Sequence, residues 1–324
     1  MPTINVTPQV EQDTVVTPGE EQVTTEDVAI PQNKEKETIA QTYSKEELND
    51  PEAIDVDIAD DRTPIAVLFG PPASGKTMTM IRLAKFLTVK GYSVEPVRSF
   101  RKDYDNNYTS NCANFNGMLS EQQYKWAAEK SLGLNFMLLK VSRGGTPIVQ
   151  ILEAPGEHYY DPNDRSEPKS EFISYIQKVI NAPNRKLWIY MTEPNWKNRG
   201  DRENYSRKVA SMKTKTDSRD KSILLFNKVD TTNFVQRMGE VNQKAAEQHV
   251  SNMYPGLFDC FKNQNPITSM WKPYACTLVP FSTGTYTEIL IEGKKRKKFT
   301  EGPNAYTLKL WNTILKSIGL PQIN

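Results

Sequence analysis

The chain has 324 residues, of which 37% are hydrophobic. That is room for one large domain or two small ones, but a low apolar content for a fully compact chain. Its net charge of +2 hides an asymmetry: Met1 to Arg62 carries 16 acidic against 4 basic residues, and the remainder carries 37 basic against 23 acidic. Neither a secreted disulfide framework nor a membrane-spanning segment is expected. No basic-then-apolar N-terminal pattern or run of about 18 apolar residues occurs, and Cys112, Cys260 and Cys276 are odd in number and widely spaced; a soluble protein in a reducing, cytoplasmic compartment is expected.

Residues 1–62 are rich in Thr, Gln, Glu and Pro without a lasting apolar period, so they are expected to form a disordered acidic arm ahead of a folded domain over 63–324. The arm reads either as a solvated tether or as a segment that covers a basic surface. Within it, Ser44 with Glu46 and Glu47 can start a short helix that Pro51 stops. The domain opens on Ile65 to Phe69, an apolar run with the length of a buried strand. Behind Gly70–Thr77, Met80, Leu83, Ala84 and Leu87 fall at the spacing of one helix face, ending near Gly91.

Tyr92 to Val97 reads as a short strand, the Asn- and Asp-rich Ser99 to Gly117 as a long loop, and Ser120 as the cap of a helix through Lys130. Asn135 to Val141 and Pro147 to Glu153 read as antiparallel strands joined through Gly144-Gly145. A helix follows from about Pro168, with Phe172, Tyr175, Ile176 and Val179 on one face, then a strand from Leu187 to Thr192. Next come a basic helix or loop from Arg199 to Lys215 and a strand from Ser222 to Phe226. Further on are a helix within Glu240 to Met253, a strand near Ala275 to Phe281, a hairpin around Lys294, and a final helix from Pro303 to Gly319. Trp188, Trp271 and Trp311 are expected in the core. Strands alternating with helices predict an α/β domain with a mostly parallel sheet.

The most informative segment is Gly70-Pro71-Pro72-Ala73-Ser74-Gly75-Lys76-Thr77, a G-x-x-x-x-G-K-[ST] string between strand and helix. Free N–H groups and the helix dipole favour polyphosphate there, Lys76 can reach the β and γ phosphates, and the Thr77 hydroxyl can take a magnesium position. Pro71 and Pro72 have no N–H, so the cradle rests on Ala73, Ser74, Gly75, Lys76 and Thr77. Three other segments end strands. Glu153-Ala154-Pro155-Gly156 offers a carboxylate for magnesium and a glycine N–H for the γ phosphate. In Asn227-Lys228-Val229-Asp230, the Asp230 carboxylate can accept from guanine N1 and N2, Asn227 can serve N7, and Lys228 can lie over the ring. Phe281-Ser282-Thr283-Gly284 can donate backbone N–H groups to guanine O6.

With these four segments in this order, Ile65 to Leu320 resembles the P-loop GTPases of the translation-factor and Ras-like class, marked by GxxxxGK[ST], DxxG, NKxD and a final SA-type loop. The antiparallel pair before Glu153 matches that class as well. The resemblance implies a three-layer α/β/α P-loop domain with one antiparallel edge strand, binding GTP or GDP with Mg2+ and hydrolysing GTP as a switch. It implies site roles for Gly70, Ala73 to Thr77, Glu153, Gly156, Asn227, Lys228, Asp230, Ser282 and Thr283, and a switch threonine at Thr109 or its neighbour Ser110. The chain departs from the pattern with Glu153 in place of Asp, and with Glu157 followed by His158 where the class places a water-orienting Gln or His. His158 is the candidate, and hydrolysis is expected to be slow without a protein partner. An ATP-dependent P-loop enzyme and a nucleotide-binding scaffold with little turnover stay open. Lys294 to Lys298, placed at a hairpin tip, suits an anionic partner such as RNA, acidic lipid or the acidic arm, or else a solvated turn. The basic stretch Arg199 to Lys221 lacks interleaved aromatics for base stacking.

Overall fold

The computed structural model describes residues 50–101, 106–120, 136–237, 239–263, 265–291 and 294–324. A seven-stranded sheet forms its centre, in the order β2-β3-β4-β1-β5-β6-β9. The strands are β1 (Ile65–Phe69), β2 (Ser93–Pro96), β3 (Met137–Arg143), β4 (Thr146–Glu153), β5 (Lys186–Thr192), β6 (Lys221–Phe226) and β9 (Cys276–Pro280). All neighbours pair in parallel except β3, which runs against both β4 and the short β2 outside it. Two small antiparallel ribbons are added, β7 (Val235–Arg237) with β8 (Glu240–Val241), and β10 (Gly284–Ile291) with β11 (Lys294–Glu301).

The helices are α1 (Lys76–Val89), α2 (Asn106–Ser120), α3 (Ser174–Asn181), α4 (Arg199–Thr214), α5 (Gln243–Met253), α6 (Pro266–Trp271) and α7 (Asn304–Ile318). Strands β2, β3 and β4 lie on one side of β1, and β5, β6 and β9 on the other, so the order divides at β1 and a crevice opens there beyond the carboxyl ends of the strands. On one face α1 packs against α7, whose Trp311 is fully buried edge-on to Tyr92. On the other, Phe69 at the end of β1 sits among Tyr159, Phe172, Tyr190 and Tyr205, with ring centroids 4.9 to 6.2 Å apart. This aromatic layer lies directly under the start of the glycine loop, and Tyr205 donates to the Phe69 carbonyl.

The β3–β4 turn follows from its residues: Gly144 and Gly145 both have positive φ, 56° and 79°, as a two-residue hairpin requires. The stretch expected as a loop from Ser99 to Gly117 is largely helix instead. Tyr108, Cys112 and Phe115 recur at helical spacing and are all buried, so packing of that stripe overrides the weak helix propensity of the Asn-rich sequence. Ser120 accordingly ends α2 rather than capping a new helix; residues 121–130 lie outside the described ones.

The folded body also begins before Thr63. Ile54 and Val56 alternate inward into the core while Glu52 and Asp57 face outward, and Val56 bridges Arg101, so a strand-like period inside an acidic stretch anchors it. Ser44, Glu46 and Glu47, expected to start a short helix, lie outside the described residues; Pro51, expected to stop it, opens a single 3₁₀ turn. Trp188 and Trp311 are buried as expected, but Trp271 is 88% exposed on α6. The basic run Lys294 to Lys298 occupies the second strand of the β10–β11 ribbon rather than a tip, with Lys294 paired to Ile291 and Lys298 to Thr287. Among the described residues no helix is long and apolar enough to cross a membrane.

Candidate functional site

A cavity of about 360 Å³ lies at the carboxyl ends of the strands. It is lined by residues of the glycine loop and α1 (Pro72, Ala73, Gly75, Lys76, Thr77, Met78) and by Glu153, Pro155, Gly156 and Glu157 after β4. Asn227 and Lys228 after β6, and Thr283 and Tyr286 after β9, complete it. The glycine loop turns through two left-handed residues, Ala73 at φ 60° and Gly75 at φ 91°, before α1 begins at Lys76. A Cβ at Gly75 would lie 2.3 Å from the Asn227 side-chain nitrogen, so this glycine is what admits the β6 loop to the glycine loop.

Lys76 is buried, and its ammonium donates to the Gly70 and Pro71 carbonyls at 3.1 and 3.0 Å, arched back across its own loop. The Thr77 hydroxyl donates to Glu153 Oε1 at 2.8 Å. The other oxygen, Oε2, is buried and has no hydrogen-bond partner. Burial drives these two charges toward neutrality, lowering the Lys76 pKa and raising that of Glu153, while their mutual attraction and the Thr77 hydrogen bond oppose the change. The extra methylene of Glu153 is thus accommodated, because the carboxylate still meets the loop threonine. An unpaired carboxylate oxygen beside a hydroxyl fits a divalent cation completed by water and phosphate oxygens. Among the described residues there is no cluster of three or more His, Cys, Asp or Glu that would hold a metal by itself.

Gly156 lies hard against the glycine loop. A Cβ there would meet the Pro72 nitrogen at 2.2 Å and the Pro71 carbonyl carbon at 2.4 Å, both backbone atoms that cannot swing aside. Gly156→Ala should therefore force the two loops apart. We expect a loss of about 1–3 kcal/mol in chemical denaturation together with weaker nucleotide binding.

At the far end, buried Asn227 donates from Nδ2 to the Ser74 carbonyl at 2.9 Å. Lys228, in a left-handed conformation at φ 56°, donates to the Ala73 carbonyl at 3.0 Å and pairs with Glu193 just beyond β5. The Val229 N–H donates to the Phe281 carbonyl at 3.1 Å, joining the loops after β6 and β9. Asp230 does not line the cavity; it sits in the adjoining turn with Oδ1 buried and unpartnered. Ser282 is buried behind Thr283, which does line the cavity.

Like Asp230 and Ser282, two further expected residues lie outside the lining. His158 is outside the lining: its Nδ1 shares a 2.6 Å hydrogen bond with the Tyr175 hydroxyl, and burial pulls its imidazole down to about 4. Glu157, one residue earlier, faces the cavity instead. Thr109, with Ser110 beside it, is exposed on α2 and absent from the lining, since the segment expected to be a loop is helical. Met78, Glu193 and Tyr286 belong to no motif.

The displaced His158 pKa has a measurable consequence. Between its ordinary value near 6.5 and about 4 the unfolded chain binds the proton and the folded one does not, so stability rises with pH across that window and is lost as acid is added. The contribution should approach about 2 kcal/mol above pH 6.5. Thermal melting of the parent from pH 4 to 7 should slope steeply, and His158→Gln should flatten that slope.

No family model matches this sequence, and no curated protein matches it. Several solved structures are similar to it in overall form. They include the chloroplast translocon components atToc33 and psToc159, at 12% identity and a TM-score of 0.38 over 80% of this chain and 82% of the other. The GDP-bound GTPase-like domain of S. cerevisiae Ski7 is 11% identical, with a TM-score of 0.33 over 68% of this chain and 43% of that one. The GDP-bound Roco2 of Methanosarcina barkeri is 12% identical, with a TM-score of 0.31 over 81% of this chain and 52% of that one. This chain spans about half the length of the latter two. The strand order, the glycine loop between β1 and α1, and the crevice beyond the strand ends give this chain the fold of a P-loop α/β domain with a mostly parallel sheet.

Proposed function

We propose that this protein binds a guanine nucleotide with Mg2+ and hydrolyses GTP to GDP as a switch, slowly unless a protein partner assists. The observation that carries the reading is the joining of the loop after β6 to the glycine loop. Asn227 bonds to the Ser74 carbonyl, and three residues on, Asp230 keeps a buried carboxylate oxygen unpartnered, an acceptor suited to the N1–H and N2–H donors of guanine. At the other end Thr77 and Glu153 would hold Mg2+, with the unpartnered Glu153 oxygen as the available acceptor. The cation would neutralise charge on the β and γ phosphates. Lys76 has only to leave the Gly70 and Pro71 carbonyls to serve those phosphates, and Gly75 to Thr77 supply N–H groups at the helix start.

A nucleotide-binding scaffold with little turnover is the second reading, favoured by His158 being engaged by Tyr175 and by Glu157 standing in the cavity. Gentle purification followed by identification of the retained nucleotide, competition between GTP and ATP, and a turnover assay decide the matter. Retained GDP and a preference for GTP of about 100-fold or more support a guanine site. Equal affinity for GTP and ATP sinks it, and tight GTP binding without turnover leaves the scaffold.

A further inference from the structure

Tyr286 belongs to no nucleotide motif. It stands on β10, two residues past the end of the Phe281–Gly284 loop, and lines the same cavity as Lys228, Thr283, Ala73 and Met78. One side of its ring rests on Phe299 across the ribbon, with centroids 5.0 Å apart, and the residue remains 46% exposed. The ribbon that carries it is fixed at its foot. Glu301 on β11 pairs with Arg82 at 2.6 Å and with Lys85 at 2.8 Å, both on α1. Arg82 also donates to the Gly302 carbonyl and, at 2.8 Å, to Asn304 Oδ1. The Gly302 N–H in turn donates to the Thr283 carbonyl at 3.1 Å. An aromatic ring is thereby held at the base-recognition end of the cavity by a ribbon rooted in both the phosphate helix and the base loop.

A half-exposed ring at such a place leaves apolar surface that a flat heterocycle can cover. We infer that Tyr286 packs against the purine of the bound nucleotide, with the aliphatic stem of Lys228 as another wall. The inference rests on the nucleotide-binding reading above. Stacking on an aromatic is tolerant of base identity, because every base has a π-face. Tyr286 therefore strengthens purine nucleotides in general, while discrimination of guanine from adenine is left to Asp230.

The test uses the full chain and three probes: GDP, ADP and inorganic tripolyphosphate, titrated calorimetrically against the parent, Tyr286→Ala, Tyr286→Phe and Asp230→Ala. Thermal melting establishes that each variant folds. Tyr286→Ala should weaken GDP and ADP by a similar factor of about ten, leave tripolyphosphate within twofold, and be restored by Tyr286→Phe. Asp230→Ala should weaken GDP alone. If the parent prefers ADP, the guanine reading falls but an equal loss of both nucleotides in Tyr286→Ala still supports the stacking role. Unchanged nucleotide affinity in Tyr286→Ala overturns it. So does an equal loss of tripolyphosphate, which would make the ring a prop for the loop. Failure of the parent to bind either nucleotide overturns both readings.

Discussion

Lys76→Ala is expected to lower the affinity for GTP and GDP about 100-fold or more while leaving the free protein as stable as the parent. The loss follows from removing charge-assisted hydrogen bonds to phosphate, each contributing about 1.5–3 kcal/mol. The unchanged stability follows from the burial of the ammonium. Its pKa is lowered because the folded protein holds the charge away from water, and its hydrogen bonds to the Gly70 and Pro71 carbonyls offset only part of that cost. Removing Lys76 also removes the cation whose attraction opposes the upward push of burial on the Glu153 carboxyl. In Lys76→Ala the Glu153 carboxyl should therefore carry a proton at neutral pH and bind Mg2+ poorly, so both losses act in one direction. Melting with and without GDP and Mg2+ separates the effects: the parent should be stabilised by ligand and the variant not, with equal melting in its absence. A variant that keeps its GDP-induced shift would remove Lys76 from the phosphate site.

How much of this was legible differs between elements for physical reasons. Ile65 to Phe69 is buried on both faces, so its apolar run has sharp ends that match β1 residue for residue. Gly144-Gly145 marked its hairpin because few other residues adopt two consecutive positive φ values. The helix α2 was hidden because Asn dominates its composition, although Tyr108, Cys112 and Phe115 carried the period of its buried face. Ile54 and Val56 were masked in the same way by the acidic residues around them, Glu52, Asp55 and Asp57.

In the cavity, the segments at the ends of β1, β4, β6 and β9 could be named in advance because each combines an apolar strand with a short motif, and the sheet order brings them together. Position within a motif did not determine orientation. His158 and Glu157 are neighbours, yet Tyr175 takes the histidine and the glutamate faces the cavity. Tyr286 and Glu193 carry no motif and reach the site through tertiary placement alone. Composition could not show that the β10–β11 ribbon stands beside the cavity.

Asp230 carries the largest expected change in specificity. Its Oδ1 is buried without a partner in the turn after β6, and that turn is tied to the Phe281 carbonyl by the Val229 N–H, so the carboxylate is held by two loops. Guanine presents two donors, N1–H and N2–H, whereas adenine presents an acceptor at N1 and would leave the carboxylate buried and unmatched. Asp230→Ala should lower GTP affinity about 100-fold, the equivalent of two charge-assisted hydrogen bonds. Asp230→Asn is the more informative variant. An amide offers one acceptor and one donor, which mismatches the guanine 2-amino group but complements xanthine, whose N1 is a donor and whose C2 carries an acceptor oxygen. The preference between GTP and xanthosine triphosphate should therefore invert in Asp230→Asn, with Asp230→Ala binding both weakly. Damage to the loop would lower both nucleotides in either variant, so inversion separates base contact from scaffolding. If Asp230→Asn keeps the parental order of preference, the carboxylate does not read the base, and the cavity belongs to a nucleotide recognised through its phosphates alone.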